Sequence, residues 1–220
     1  MHDVFITGGT GYLGRALAPR LLERRHRVRL LVRPGSEWKA SPGCDVVSGD
    51  PFSVDGIVGR IATADTFVQL VGVPHPSPSK ARQFVDVDLR SAIASIEAAT
   101  RAGVGHFVYV SVAQPAPVMK AYQEARAEAE RVLVASGLRH TIVRPWYVLG
   151  PGHRWPLLLA PMYWVWEQVG ATRHTAKRLG LVTLAQVVHT LVAAVESPPM
   201  RSRIIEVPQI LQGLGAAAAD

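Results

Sequence analysis

The chain has 220 residues, of which 48% are apolar and 19% charged, and this composition excludes disordered and fibrous proteins. Its length allows one sizeable core with a small appended lobe and argues against two independent domains. The net charge of +7 comes mostly from scattered arginines, and their one dense group lies between residues 15 and 33. No aromatic residues are interleaved with that group, so a nucleic-acid partner is not expected.

The single cysteine and the N-terminus bear on the compartment. Cys44 alone excludes an intramolecular disulfide framework and indicates a reducing environment. An apolar strand pattern at residues 4–6 leaves no room for a secretory signal. The longest apolar stretch, residues 155–166, is interrupted by Pro156 and Pro161 and is too short to cross a bilayer. We therefore expect a cytoplasmic protein without a transmembrane segment, with both a monomer and a homodimer left open.

Apolar periodicities predict strands and helices that alternate along the first 150 residues. Strands are predicted at residues 4–6, 28–32, 44–48, 66–71, 106–110 and 141–143, and helices at 13–22, 53–61, 84–102 and 121–136. Residues 73–79 contain three prolines and are predicted to form a loop. This alternation predicts an α/β fold with a doubly wound parallel sheet, the Rossmann fold.

Beyond residue 150 the alternation lapses. Residues 151 to about 180, which contain Trp155, Trp164 and Trp166, are predicted to form a mostly helical lobe, followed by a helix at 184–196 and a strand at 203–207. We predict a dinucleotide-binding core over residues 1–150 and a small C-terminal substrate lobe with a returning sheet strand over 151–212. A flexible tail is predicted over 213–220.

A glycine-rich turn follows the first strand and opens the first helix. In such a turn the first glycine permits the bend, the second lets phosphates approach the backbone, and the third lets the helix pack on the sheet. The helix N-terminus presents amides and a positive dipole end to an anion. The sequence therefore predicts a dinucleotide pyrophosphate site at a turn formed by Thr7, Gly8, Gly9, Thr10, Gly11, Tyr12, Leu13 and Gly14.

The end of the second strand indicates which cofactor is bound, because the adenosine ribose lies there. An acidic residue at this point bonds the 2′-hydroxyl of NAD, but this sequence has Arg33, which can pair with a 2′-phosphate. NADP(H) is therefore favoured over NAD(H). Asp50, followed by Pro51, is placed to accept a hydrogen bond from the adenine amine. The alternatives are that Arg33 is an ordinary surface residue and that Asp50 caps a turn.

The glycine turn, Gly49-Asp50, Val110-Ser111, Tyr122 and the segment around Arg144-Pro145 together resemble the extended and atypical short-chain dehydrogenases/reductases. The resemblance covers residues 3 to about 152 and is strongest to the NmrA-like and complex I accessory-subunit-like branches, which are related to the NAD-dependent epimerases/dehydratases. It implies a small C-terminal lobe that closes over the nicotinamide. It also implies further cofactor contacts, from a backbone wall at the fourth strand end and a segment after the sixth strand, at Leu70, Val71, Gly72, Val73, Pro145, Trp146 and Tyr147.

The chemistry of that family uses a Tyr-x-x-x-Lys pair on one helix and a serine at the end of the preceding strand. The resemblance implies that Tyr122 relays a proton and that Ser111 positions the substrate. The lysine position holds Arg126, which keeps the positive charge and can bond a ribose but cannot give up a proton. Ser111, Tyr122 and Arg126 are the predicted catalytic residues, and Arg126 is also a predicted cofactor contact. In the alternative interpretation Tyr122 only packs or touches the ribose, and Arg126 is a helix-surface cation.

Two functions follow from these residues. The first is an NADPH-dependent oxidoreductase that acts on a small carbonyl or quinone substrate. The second is a non-catalytic NADP-binding redox sensor or assembly protein, which the replacement of lysine by Arg126 favours. A sugar-nucleotide epimerase or dehydratase is a weaker alternative, because the C-terminal lobe is short for a second nucleotide. The histidines lack ligand spacing, so no metal site is expected.

Overall fold

The computed structural model describes residues 1–151 and 179–213, and within these ranges seven parallel strands form one sheet. Their order is β3-β2-β1-β4-β5-β6-β9. Strands β2 and β3 are added on one side of β1 and β4 on the other, so a ligand crevice is expected at the carboxyl ends of β1 and β4. Strands β7 and β8 form a separate parallel pair. The predicted Rossmann fold is confirmed. The strands are β1 (Asp3–Thr7), β2 (Arg27–Val32), β3 (Asp45–Ser48), β4 (Thr66–Gln69), β5 (His106–Val110), β6 (His140–Arg144), β7 (Tyr147–Leu149), β8 (Leu181–Thr183) and β9 (Ser202–Glu206).

Helices cover both faces of the sheet. Helices α1 and α6 pack on one face, and α2, α4 and α5 pack on the other, each over its own hydrophobic cluster. Short 3-10 turns lie at Glu37–Lys39 and Pro78–Lys80, and a π-helical segment lies at Phe84–Leu89. The α-helices are α1 (Tyr12–Glu23), α2 (Val54–Ile61), α3 (Ala81–Gln83), α4 (Arg90–Arg101), α5 (Lys120–Ala135), α6 (Leu184–Glu196) and α7 (Val207–Gln212).

The central strand β1 shows why the sheet needs cover on both faces. Val4 and Ile6 belong to the cluster under α1 and α6, whereas Phe5 belongs to the cluster under α2, α4 and α5. Successive side chains of a strand point to opposite faces, so a fully apolar strand must be buried twice. On the second face Phe67 lies between Phe5 and Phe107, with ring centroids 5.1 and 5.0 Å away.

Two predicted elements differ from those observed, and both differences lie beside the crevice. The predicted helix over residues 84–102 begins with the π-helical segment, and a regular α-helix starts only at Arg90. The predicted strand over residues 66–71 ends at Gln69, because the Val71 amide donates to the Gln69 side chain instead of to a neighbouring strand. Both departures from regular structure were invisible to apolar periodicity.

The C-terminal part completes the sheet. Helix α6 begins with a capping box formed by Thr183 and Gln186, and its buried face joins the same cluster as Val4 and Ile6. Strand β9 pairs with β6, one residue earlier than predicted. The predicted lobe, including Trp155, Trp164 and Trp166, lies almost wholly outside the described residues, as does most of the tail. The domain division at residue 150 stays a prediction.

The dense arginine group is largely paired. Arg24, Arg27 and Arg29 form ion pairs with Glu196, Asp3 and Asp45, which neutralises much of the positive charge on this face. Arg15, Arg25 and Arg33 are exposed. Among the described residues, no helix is both long enough and apolar enough to span a bilayer.

Candidate functional site

The glycine turn after β1 is held by close backbone contacts. Gly8 has φ +77°, and a Cβ atom there would lie 2.6 Å from the carbonyl carbon of Leu70. A Cβ on Gly14 would lie 2.4 Å from the Gly9 Cα. The turn therefore needs glycine at position 8 for its backbone conformation and its contact with the end of β4, and at position 14 for the packing of α1 against the turn.

Helix α1 begins directly after this turn. Gly11 is the N-cap and its own amide donates to the Gly8 carbonyl at 3.0 Å, while no acidic residue occupies the first turn. The amides of Leu13 and Gly14 belong to the first turn and have no intrahelical acceptor. The Gly11 position is exposed, and the one backbone atom near its missing Cβ is the Gly8 oxygen. This cradle fits a pyrophosphate group.

Tyr12, the first residue of α1, has its side chain turned toward the segment after β7. A Cβ on Gly150 would lie 2.1 Å from the Tyr12 hydroxyl, so the phenol packs against this glycine. Burial raises the pKa of Tyr12. Thr10, in contrast, stays in the turn before the helix.

The residues that were predicted to choose the cofactor lie after the carboxyl ends of β2 and β3. Arg33 is exposed after β2 and forms no ion pair with the described residues, which leaves its guanidinium available to a phosphate. Asp50 is exposed as well, and its Oδ1 accepts from the amide of Phe52 at 2.9 Å. Asp50 therefore caps this turn with one carboxylate oxygen, and its other oxygen stays available to accept a hydrogen bond from a ligand. Pro51 beside it is buried.

A chain of buried polar groups joins the glycine turn to the wall at the end of β4. The side-chain oxygen of Gln69, Oε1, accepts from the Thr7 hydroxyl at 3.0 Å and from the Val71 amide at 2.6 Å. The Gln69 amide nitrogen donates to the Ser91 hydroxyl at 3.1 Å. Gln69 therefore shapes the chain through Leu70 and Val71. Sequence reasoning missed it, although a glutamine inside an apolar strand pattern was a signal.

Arg126 lies inside the molecule, and the interpretation of this residue as a surface cation is wrong. Its exposed fraction is 6%, and that of Asp88 is 0%. The Arg126 Nη2 donates to the Asp88 carboxylate at 2.5 Å, and its Nη1 donates to the Val110 carbonyl at 2.8 Å. Both atoms of the pair crowd Gly72, where a Cβ would lie 2.4 Å from Nη2 and 3.1 Å from the Asp88 oxygen. The chain after β4, the π-helical segment and α5 thus meet at one ion pair.

Tyr122 lies one turn before Arg126 on α5. Its half-buried ring packs against Phe84 at a centroid distance of 4.9 Å, and the Arg126 guanidinium carbon lies 5.2 Å from the ring centroid. Burial raises the pKa of Tyr122, although the Arg126 cation opposes that rise. The phenol is therefore neutral at neutral pH and can donate a proton.

Ser111 follows β5, and its amide donates to the Val143 carbonyl at 2.8 Å. Its hydroxyl oxygen is buried and has no hydrogen-bond partner among residues 1–151 and 179–213, and the same holds for the Arg126 Nε. Buried polar atoms in native proteins normally have partners, so these two atoms can take part in binding. Both lie beside Val110, whose carbonyl accepts from Arg126.

The loop after Ser111 is fastened to α5 by Gln123. The Gln123 side chain accepts from the Ala116 amide at 2.7 Å and donates to the carbonyls of Ala116 and Val118. Met119, which precedes the helix, has a left-handed backbone and offers no side-chain cap, so Gln123 ties down the helix start instead. The sequence analysis did not identify this role of Gln123.

The segment after β6 borders the same end of the sheet. Pro145 is buried and its carbonyl accepts from the Ala113 amide at 2.9 Å. Trp146 and Tyr147 are half-buried and pack edge to face at 5.2 Å, and burial raises the pKa of Tyr147. Arg144 links the segment to α5 through an ion pair with Glu130. The candidate residues from β5, β6 and α5 are thus brought together.

The fold and the site define a dinucleotide-binding Rossmann protein. Residues 8–154 match the family described as NAD(P)H-binding, which is more than half of the chain. The chain belongs to this NAD(P)H-binding family. No group of histidines, cysteines and carboxylates suited to a metal ion occurs in the part of the chain that the structure describes.

Proteins similar in sequence have both reductase and epimerase names. A ceramide reductase of Caulobacter vibrioides is 33% identical over 152 residues, which cover 68% of this chain and 47% of that protein. An uncharacterized sugar epimerase of Bacillus subtilis, YhfK, is 31% identical over 153 residues, which cover 64% of this chain and 70% of that protein. A chloroplastic divinyl chlorophyllide a 8-vinyl-reductase of rice is 28% identical, and the match covers 64% of this chain and 39% of that protein. The chain thus spans less than half the length of both reductases.

Solved structures of the same fold include NAD-bound enzymes. WbmH of Bordetella bronchiseptica in complex with NAD⁺ has a TM-score of 0.69 at 20% identity, and the match covers 94% of this chain and 75% of that one. A UDP-N-acetylglucosamine 4-epimerase of Bacillus cereus has a TM-score of 0.70 at 13% identity, covering 94% and 78%. At these identities the likeness is one of fold.

Proposed function

We propose that this protein is an NADPH-dependent oxidoreductase that reduces a small carbonyl or quinone substrate. The observation that carries the proposal is the state of Tyr122, a phenol kept neutral by burial, on α5 beside the cofactor crevice. A proton donor must be protonated before the reaction, and a phenol whose pKa is not lowered meets this requirement at neutral pH. Two of the similar proteins are named as reductases, which supports reduction as the direction.

The residues divide the work of such a reaction. The amides at the start of α1 hold the pyrophosphate, and Arg33 pairs with the 2′-phosphate. When bound, the reduced nicotinamide supplies a hydride. Ser111 orients the substrate oxygen, and Tyr122 gives that oxygen its proton. The backbone at Leu70, Val71, Gly72 and Val73 and the segment Pro145, Trp146 and Tyr147 border the cofactor in this proposal.

Replacing Tyr122 with phenylalanine tests the proton donor. NADPH oxidation should be followed at 340 nm with a panel of aldehydes, ketones and quinones. We expect Tyr122→Phe to lower kcat about 100-fold or more, because general acid catalysis typically contributes this much. NADPH affinity should stay near wild type, since the phenyl ring still packs on Phe84. Tight NADPH binding by the wild type without turnover of any substrate class would overturn the oxidoreductase proposal.

Replacing Arg33 with aspartate tests the cofactor preference. The variant should raise the Kd for NADPH about tenfold or more and leave the Kd for NADH nearly unchanged, because only NADPH has a 2′-phosphate. Arg25→Asp is the matched control. Arg25 is also exposed, but it follows the C-terminus of α1, at the end of this helix that lies away from the glycine turn. It changes the net charge equally. Equal weakening of both cofactors by Arg33→Asp would refute the 2′-phosphate role.

A second candidate is a non-catalytic NADP-binding sensor or assembly protein. The observation in its favour is that the Arg126 guanidinium is already engaged by Asp88 and the Val110 carbonyl, so both terminal nitrogens have acceptors. A sugar epimerase is the third candidate, supported by the name of the Bacillus subtilis relative. Epimerisation causes no net NADPH oxidation, and a sensor causes none with any substrate, so the same assay separates these candidates from a reductase.

A further inference from the structure

Asp88 and Arg126 form the most deeply buried ion pair in the described part of the chain. Each partner is also held by the main chain: the second Asp88 oxygen accepts from the Val73 amide at 3.0 Å, and Arg126 donates to the Val110 carbonyl at 2.8 Å. The pair therefore joins the end of β4, the π-helical segment, the end of β5 and α5. Burying two charges in this way is costly unless both remain paired and hydrogen-bonded.

The pair is continuous with the cofactor turn. The Ser91 hydroxyl donates to the Asp88 carbonyl at 3.2 Å and accepts from Gln69, which in turn accepts from Thr7 at the end of β1. Buried hydrogen bonds thus connect Thr7, through Gln69 and Ser91, to the main chain of Asp88, whose side chain pairs with Arg126. The wall residue Gly72 lies against the pair, with no room for a Cβ.

Tyr122 lies next to this pair. The Arg126 guanidinium carbon is 5.2 Å from the Tyr122 ring and 5.7 Å from the ring of Tyr109. The charged groups that act on the Tyr122 phenol are Arg126, which favours ionisation, and Asp88, which opposes it. Tyr109 is itself held neutral by burial, which raises its pKa to about 12. Because Asp88 neutralises Arg126, the phenol experiences a paired cation and not a free one.

We infer that Asp88 and Arg126 act together as a positioning pair, which holds Tyr122 and the Gly72–Val73 main chain in place and cancels the arginine charge at the phenol. Arg126 then serves as a positioning residue and not as a proton relay. The inference rests on the proposed role of Tyr122 for its meaning in catalysis. Its test requires no cofactor, no substrate and no turnover, so its failure is distinct from failure of the proposed function.

The test uses Asp88→Asn, Arg126→Met and the double variant, each studied by urea unfolding and by NMR of ¹³Cζ-labelled tyrosine, with Tyr122→Phe to assign the signal. Both single variants should be less stable than wild type, because each leaves one buried charge unpaired, and the double variant should recover most of the loss. The pH midpoint of the Tyr122 titration should move in opposite directions in the two single variants. Asp88→Asn should lower its midpoint by about one to two pH units, since the cation is then uncompensated, whereas Arg126→Met should raise it.

Glu130→Gln is the matched control, since Glu130 lies on the same helix and loses an ion pair with Arg144. It should cost stability and leave the Tyr122 midpoint unchanged. Shifts of the same sign in the two single variants would overturn the inference, as would a double variant no more stable than the weaker single. If a single variant does not fold, the double variant decides: we expect it to fold, with Tyr122 titrating within about half a pH unit of wild type. Failure on either count also overturns the inference.

Discussion

Gly8→Ala is expected to abolish tight NADPH binding and to destabilise the protein. The new Cβ would lie 2.6 Å from the Leu70 carbonyl carbon and 2.7 Å from the Val71 nitrogen, and neither backbone atom can rotate away. A left-handed backbone adds about 1–2 kcal/mol for any residue with a Cβ, and forced overlap adds about 1–3 kcal/mol. We expect a loss of about 2–5 kcal/mol in the free energy of unfolding. NADPH affinity, followed by cofactor fluorescence, should fall about 100-fold, or ~2.7 kcal/mol.

Gly137→Ala separates the two contributions. Gly137 ends α5 with φ +75°, almost the same as Gly8, but nothing lies within 4 Å of its missing Cβ. This variant should cost only the conformational part, about 1–2 kcal/mol, and should leave NADPH affinity at the wild-type value. Equal losses of stability in the two variants would show that the turn does not press on the end of β4. Wild-type affinity in Gly8→Ala would contradict the placement of the cofactor at this turn.

The features that the sequence predicted well are those set by local periodicity. The apolar runs around Val4 and Phe107 required burial on both faces, which is a property of each strand alone. The spacing of Gly8, Gly11 and Gly14 indicated the turn, since a strand before it and an amphipathic helix after it leave few other geometries. Both belong to one supersecondary unit, and the family match confirms the dinucleotide-binding character that they implied.

The features that the sequence did not predict depend on contacts between distant segments. Asp88 and Arg126 are 38 positions apart, and only the assembled sheet brings the π-helical segment against α5. Before that contact is known, an arginine on an Ala- and Glu-rich helix has the composition of a solvent-facing residue. Gln69 escaped notice for the same reason, because its partners Thr7 and Ser91 come from two other elements.

The pairing of β7 with β8 shows a different limit. Tyr147 pairs with Leu181 across 34 positions of chain, and three residues on each strand are too few for a periodicity to indicate a strand. The sequence therefore placed Pro145, Trp146 and Tyr147 near the cofactor only through resemblance to a family. Their arrangement after β6 is a structural finding, and their contact with a cofactor stays a prediction.

Gly14→Ala is expected to destabilise the protein although alanine is the better helix former. Helix propensity alone favours alanine over glycine by about 0.8–1.0 kcal/mol. At Gly14, however, the new Cβ would lie 2.4 to 2.5 Å from the Cα, carbonyl carbon and oxygen of Gly9, so α1 must move away from the turn. Forced overlap of this kind costs about 1–3 kcal/mol, so after the propensity gain we expect a net loss of about 1–2 kcal/mol in the free energy of unfolding, measured by urea titration. NADPH affinity should fall as well, because the same movement displaces the first-turn amides of α1.

Gly59→Ala makes the same chemical change in a helix without that contact. Gly59 is exposed in α2, and nothing lies within 4 Å of its missing Cβ. It should therefore gain about 0.5–1 kcal/mol from propensity and leave NADPH affinity unchanged. Opposite signs for the two variants would identify the approach of α1 to the glycine turn as the cause. If Gly14→Ala also stabilised the protein, the helix would not pack closely on the turn, and its first-turn amides would not be fixed where a pyrophosphate requires them.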